Sequence, residues 1–371
     1  MIKIINTPSL YGSLYEAIEL SRGIKGKIDI IVPDKLALFM EKFLFEQLNI
    51  SASFDLRVST LNRFAKKKCL VSKESQISEV GGILLIHKIL NENAACLKSL
   101  KSKAYSFSYA ENILKTINQF KASKITWEEM ENFSSSNIQL KNKILDIAFV
   151  NKEYENLKAG MLDSADMFLM STLYVAEGVE NENFLFIGFD DFTAIEYSII
   201  EMLAEKNNVT VLVNFGCGNN KSIFNKEIYS QLKNIAFIKH INLIVEDANI
   251  TYSKEKEFLH SNLFALKSEK VILEKETIKV VAANSFEEEI EFVARDIRNR
   301  IINGDKYSNY GVAIFDLESK LNIVKEKFAK YNINYYLDTQ LHLNKSIFYK
   351  FLCSVVKYNL ESYTSIKWLK L

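Results

Sequence analysis

Apolar and polar positions alternate from the first residues of the chain. Ile2 to Asn6 is a short β-rich run, Ser13 to Ser21 repeats its apolar residues at helical spacing, and Lys27 to Val32 is a second apolar run that stops at Pro33-Asp34. From about Lys35 to Gln47, Leu36, Phe39, Met40 and Phe43 recur every three or four residues, the spacing of an amphipathic helix. Asp55 to Ser59 predicts a third strand that runs directly into a helix over Leu61 to Lys68. Strands and helices alternating in this way build an open parallel sheet with helices on its faces.

The strand signal then disappears. From about Ile77 to Glu177 the pattern is a series of amphipathic helices with polar joints such as Ser134-Ser135-Ser136. Strands return at Phe184 to Ile187, followed by Gly188-Phe189-Asp190-Asp191-Phe192-Thr193, a helix to Lys206 and an apolar strand from Val209 to Phe215. A detour of roughly a hundred residues is far longer than an ordinary connection. Residues 76–179 are therefore predicted to be a helical insertion in a first α/β domain formed by 1–75 and 180–270, whose last part, from Asn219 to Lys270, reads as mixed and mostly helical. A second α/β unit starts at about 271. Its predicted strands are Ile278 to Ala283, Tyr310 to Phe315 and Ile333 to Asp338, its helices Phe286 to Ile302 and Leu317 to Tyr331, and it is expected to be truncated at Leu371 just after a new helix begins.

Composition narrows the classes. With 371 residues and 48% hydrophobic content the chain can bury ordinary cores in two or three domains. Only 2 prolines and 12 glycines interrupt it, which favours long helices. A formal net charge of +1 means that any basic track for nucleic acid must be local. Cys69, Cys96, Cys217 and Cys353 stand singly with no neighbouring histidine, against zinc or a disulfide framework and in keeping with a reducing cytoplasm. The first residues read as a strand rather than a leader, and no run of about 18 apolar residues suggests a membrane span. His87, His240, His260 and His342 fall at no catalytic spacing from a nucleophile or acid.

The turn between the first strand and first helix carries candidate chemistry. Laid over Thr7-Pro8-Ser9-Leu10-Tyr11-Gly12-Ser13-Leu14, the phosphate-loop pattern G-x-x-x-x-G-K-[ST] puts its glycines at Thr7 and Gly12, its lysine at Ser13 and its Mg²⁺-binding hydroxyl at Leu14. The position fits and the chemistry does not. Either this is a vestigial nucleotide loop or it is a plain strand-to-helix turn.

Several strings then point to a family: Ile31-Val32-Pro33-Asp34 with Phe39-Met40-Glu41, Phe189-Asp190-Asp191-Phe192-Thr193 with Glu196, and a longer set through Glu289-Ile290-Glu291, Ala294-Arg295-Asp296-Ile297, Gly311-Val312-Ala313-Ile314 and Ile333-Asn334-Tyr335-Tyr336-Leu337-Asp338. In order and spacing they resemble the B subunit of the AddAB-type ATP-dependent helicase and deoxyribonuclease. The resemblance implies superfamily 1 helicase-like architecture, with P-loop, RecA-like parallel sheets and a large helical insertion. It also implies a heterodimer with an A subunit, action on single- and double-stranded DNA during double-strand break repair, and no membrane association. The iron–sulfur cluster and Mg²⁺ of such proteins belong to a C-terminal nuclease domain, so no cofactor is assigned to this segment.

Family motifs can be tested position by position. A helicase needs Asp-Glu at the end of its acidic strand, where Ile187, Gly188 and Phe189 stand here; Asp190 and Asp191 follow too late, either as metal ligands or as the cap and dipole partner of the next helix. The arginine expected after the second-domain strand is replaced by Asp316 or Leu317. Three empty catalytic positions predict a degenerate ATPase. Thr60, Asn62 and Arg63 occupy the place of the motif that grips single-stranded DNA, and Lys66 and Lys67 continue the helix; the bland reading is a solvated helix end. Tyr335 and Tyr336 could stack on bases, although strand alternation would bury one. Strand guiding or scanning by an inactive helicase fold is the favoured expectation, with an active motor using an atypical loop and a partner-docking scaffold as alternatives.

Overall fold

A computed structural model of the chain describes residues 1–24, 26–68, 76–101, 105–175, 180–214, 225–249, 254–262, 279–339 and 343–360. The chain divides into two compact units, Met1–Leu273 and Glu274–Leu371.

In the first unit the order is β1 (Ile2–Asn6), α1 (Leu10–Gly23), β2 (Ile28–Ile31), α2 (Asp34–Leu48), β3 (Leu56–Ser59) and α3 (Leu61–Lys68). Five helices follow: α4 (Glu79–Glu92), α5 (Phe107–Ala122), α6 (Trp127–Glu131), α7 (Ile138–Lys158) and α8 (Ser164–Tyr174). The chain then returns through β4 (Asn183–Ile187), α9 (Ala194–Lys206), β5 (Asn208–Val213), α10 (Lys226–Ile238), β6 (Leu243–Asp247) and α11 (Lys254–Asn262). The six strands form one sheet in the order β3-β2-β4-β5-β1-β6, and every pair is parallel.

Period-two alternation along the strands sorts the core into two layers. Ile5, Ile28, Ile30, Val32, Leu185, Ile187 and Leu212 pack against α1 and α2. Ile2, Ile4, Ile31, Phe184, Phe186, Val209 and Val211 face the other way, toward α3, α9 and α10. The two sets of helices occupy opposite faces because right-handed crossovers must change face when the chain reverses its direction across the sheet. It runs outward from β1 to β2 and β3, then back through β4 and β5 to β6. Crevices therefore open at the carboxyl ends of the strands between β1 and β5 and between β2 and β4, the usual place for a ligand in such sheets.

The helices α4 to α8 have their own core, including Ile86, Leu90, Ile113, Ile117, Ile147, Val150 and Tyr154. Two polar devices hold this bundle. Asp146, buried on α7, accepts hydrogen bonds from the backbone N–H groups of Lys98, Ser99 and Leu100 at 2.6–3.1 Å, and so pins the loop after α4. Lys121 of α5 lies 2.7–2.8 Å from carboxylate oxygens of Glu155, Asp163 and Asp166, and Lys158 bridges the same three acids. Although the acid oxygens lie within 4.8 Å of one another, as a metal site would require, the ammonium groups of Lys121 and Lys158 already occupy the space between them and offset two of their three charges.

The second unit contains α12 (Phe286–Ile302), α13 (Leu317–Lys330) and α14 (Ile347–Leu360). Ile290, Ala294, Ile297, Val324, Phe328 and Ile333 form its core. Two expectations are corrected here. The strands expected over 279–283, 310–315 and 333–338 are not formed, so the described residues contain one parallel sheet and not two; Ile278 lies outside the described residues. A strand exists only where a neighbouring backbone completes its ladder, whereas a helix closes its hydrogen bonds locally. Conversely, the segment expected to be a mostly helical join contains β6, paired with β1 along its whole length. Among the described residues no helix is long and apolar enough to cross a membrane.

Candidate functional site

The residues of the phosphate-loop frame lie at the β1/β5 crevice. Only Thr7, Pro8 and Ser9 separate β1 from α1, and the helix begins at Leu10, three residues earlier than Ser13. The cause is local: Ser9 is an extended N-cap whose hydroxyl accepts from the Gly12 N–H at 3.1 Å. Gly12 and Ser13 thus sit inside the first turn. Thr7 and Ser13 are fully buried, their hydroxyl oxygens are 2.6 Å apart, and both hydroxyls reach Asn214 Oδ1, at 3.1 and 2.8 Å. The three side chains form a closed knot linking β1, α1 and the end of β5. Leu14 is 3% exposed and packs in the α1/α2 layer of the core.

At the β2/β4 crevice, Gly188 follows β4 with φ +78°, the left-handed region that favours glycine. A Cβ there would lie 2.8 Å from Leu36 Cδ2 and 3.2 Å from Leu10 Cδ1, so backbone and apolar side chains meet closely where an acidic strand end would face a nucleotide. Asp191 accepts from its neighbour Phe192 N–H at 2.8 Å and from the Tyr197 hydroxyl at 3.4 Å. The cap of α9 is Thr193, in a reciprocal box with Glu196, and not the acid pair expected to open that helix. In the second unit Asp316 precedes α13 with φ +53°, its carboxylate accepting from the Ser319 hydroxyl at 2.7 Å, and Leu317 packs on that unit's core. Tyr336 is 89% exposed, while Tyr335 sets its ring edge on Phe328 at 5.3 Å.

The five residues proposed to touch DNA are divided by α3. Thr60 is buried and its hydroxyl accepts from the Arg63 N–H at 3.3 Å, as the cap of α3. Thr60 and Asn62 line a cleft of about 330 Å³ with Asn118, Ser164, Phe168 and Phe189, where the carboxyl end of the sheet meets the helical insertion. Arg63 and Lys67 line a different cleft, of about 460 Å³, with Lys27, Arg57, Phe64 and Glu182. The Lys66 side chain lies outside the described residues. Sequence reasoning missed Lys27 and Arg57. The signal for Arg57 was the alternation of β3, in which Leu56 and Val58 pack toward α2, so that Arg57 and Ser59 must face α3.

The all-parallel sheet, its two helical layers and the helical insertion after α3 define the chain as an α/β protein of RecA-like fold. The chain belongs to the family described as "ADDB, N-terminal", whose model matches residues 14–274. It is similar to the B subunit of the ATP-dependent helicase/deoxyribonuclease of Clostridium botulinum (strain Langeland / NCTC 10281 / Type F), at 25% identity over 85% of this chain and 30% of that protein. Similarity extends to the proteins of the same name from Clostridium tetani, at 26% identity over 85% of this chain and 30% of the relative, and from Caldanaerobacter subterraneus subsp. tengcongensis, at 24% over 95% and 33%. The chain therefore spans about a third of the length of these curated relatives.

Proposed function

We propose that this segment is the N-terminal part of the B subunit of an ATP-dependent helicase–nuclease that processes DNA double-strand breaks for recombinational repair in the cytoplasm. In this reading it guides or scans single-stranded DNA and does not hydrolyse ATP, the motor being an A subunit with which it forms a heterodimer. One observation carries the loss of ATPase chemistry: the lysine position, Ser13, is locked in the Thr7–Asn214 knot, and the Mg²⁺-ligand position, Leu14, lies in the core. A hydroxyl cannot supply the positive charge that meets the β- and γ-phosphates, and an alkyl group cannot bind a cation. These residues do not fit a Mg²⁺–nucleotide, and no catalytic step is assigned to them. The iron–sulfur cluster and nuclease Mg²⁺ implied by the resemblance are assigned to no residue here.

The test is co-expression of the full-length protein with its A subunit, followed by assays of ATP turnover and DNA degradation. Inactivating the phosphate-loop lysine of the A subunit should abolish all ATP turnover while DNA binding persists. Residual turnover that disappears on changing Asp190 or Asp191 to Asn would refute the reading in favour of an active motor.

A further inference from the structure

We propose that the cleft between α3 and the β2–β3 edge of the sheet binds the phosphodiester backbone of nucleic acid through Lys27, Arg57, Arg63 and Lys67. This rests on the strand-guiding reading above and adds a second contact surface to it, on the opposite side of α3 from Thr60 and Asn62.

Three features converge. Strand alternation turns Arg57 toward α3, and the four-residue spacing of Arg63 and Lys67 sets both on the helix face that meets it. The resulting cavity of about 460 Å³ gathers four cations against two carboxylates, Asp29 and Glu182. Glu182 lies 3.5 Å from Lys27 and Asp29, buried in the floor, stands opposite Arg57 in the strand register, so the lining carries two more positive side chains than negative ones. In a chain with a formal net charge of only +1, such a cluster of exposed like charges is relieved by an external anion.

The lining also selects among anions. Its apolar members are Val58 and Phe64, and Phe64 is 7% exposed with its ring set edge-on to Phe184 at 5.5 Å. No flat aromatic face remains for a base. A mononucleotide would leave its base unbound, whereas a continuous backbone needs only its phosphates held, without regard to sequence.

The test is fluorescence anisotropy of a labelled oligothymidylate with the full-length protein between about 50 and 200 mM salt. In the Arg57→Gln/Lys67→Gln double variant, loss of two phosphate contacts should flatten the slope of log K against log salt by about 1.4 and weaken oligothymidylate and oligoadenylate alike. Asn62→Ala should weaken binding with the slope unchanged, because a neutral amide releases no counterion. Matching circular dichroism and unfolding midpoints establish that the double variant is folded, and Arg57→Lys should restore its share of the slope. A folded double variant with the wild-type slope overturns this inference alone. Wild-type protein that binds no strand overturns the strand-guiding reading and this inference with it. Displacement of the strand by micromolar inorganic pyrophosphate overturns the assignment to a continuous backbone in favour of free phosphates.

Discussion

Changing Ser13 to Lys and Leu14 to Thr would write the lysine and hydroxyl of a phosphate loop into the frame that already surrounds them. The geometry predicts damage to the fold and no gain of nucleotide binding. Leu14 is 3% exposed in the sheet core, and cutting it to threonine loses buried methyl contacts and buries a hydroxyl, a cost of about 3 kcal/mol. Ser13 is fully buried and hydrogen-bonded at 2.6 and 2.8 Å. A lysine there must either bury its ammonium or break the knot, at a cost of a few kcal/mol more. The pair are chain neighbours and their effects need not add, but a combined loss of about 5 kcal/mol is comparable to the whole stability of many domains. The unfolding midpoint should fall by about 10–20 °C. Circular dichroism on heating measures this, and a fluorescent ATP analogue with Mg²⁺ measures nucleotide binding. A double variant with the wild-type midpoint and Mg²⁺-dependent nucleotide binding would refute the reasoning.

The remaining predictions concern the helical insertion. Asp146→Ala leaves the three backbone N–H groups that now donate to Asp146 without their acceptor; it should cost about 3 kcal/mol in denaturant unfolding and speed amide exchange at Lys98 to Leu100, and a cost below about 1 kcal/mol would discard the pinning role. Asp163 is held down from 3.8 to about 2 because, against the upward push of burial, the charge and hydrogen bond of Lys121 prevail. A carboxylate depressed in the folded state stabilises it above the unfolded pKa, so a contribution of about 2 kcal/mol should be intact above about pH 4 and disappear as the pH falls toward 2. Lys121→Met should remove that acid-side slope from the stability profile, and an unaltered slope would count against the network.

Much of the first unit was legible because alternation and helical spacing are local signals. β1 to β5 fall within two residues of the expected bounds, and α3 and α12 coincide with them. β6 escaped because its last residues, Val245, Glu246 and Asp247, are exposed at a sheet edge, so the Leu-Ile-Val-Glu-Asp string never alternates. The early start of α1 was written in Ser9 and obscured by aligning a motif on Gly12. The second unit misled for a different reason: Gly311 to Ile314 and Ile333 to Asp338 have the apolar character of strands, but character supplies no partner backbone. At the candidate site, sequence placed Thr60, Asn62, Arg63 and Lys67 at the end of the third strand and along the helix that follows, and could not tell that α3 separates them into two clefts. Lys27 and Arg57 come to Arg63 and Lys67 only when the sheet closes.

The position of β1 in the sheet sets a timetable for synthesis. β2 and β3 can pair as soon as both have left the ribosome, but β1 has neighbours only in β5 and β6, which begin about 200 residues later. At a translation rate of about 5–20 residues per second, the apolar first strand waits roughly 10–40 s for a partner. During that interval the helices of the insertion, whose contacts are mostly close in sequence, can settle. The insertion therefore lengthens the time for which the nascent chain must shield its own N-terminal strand.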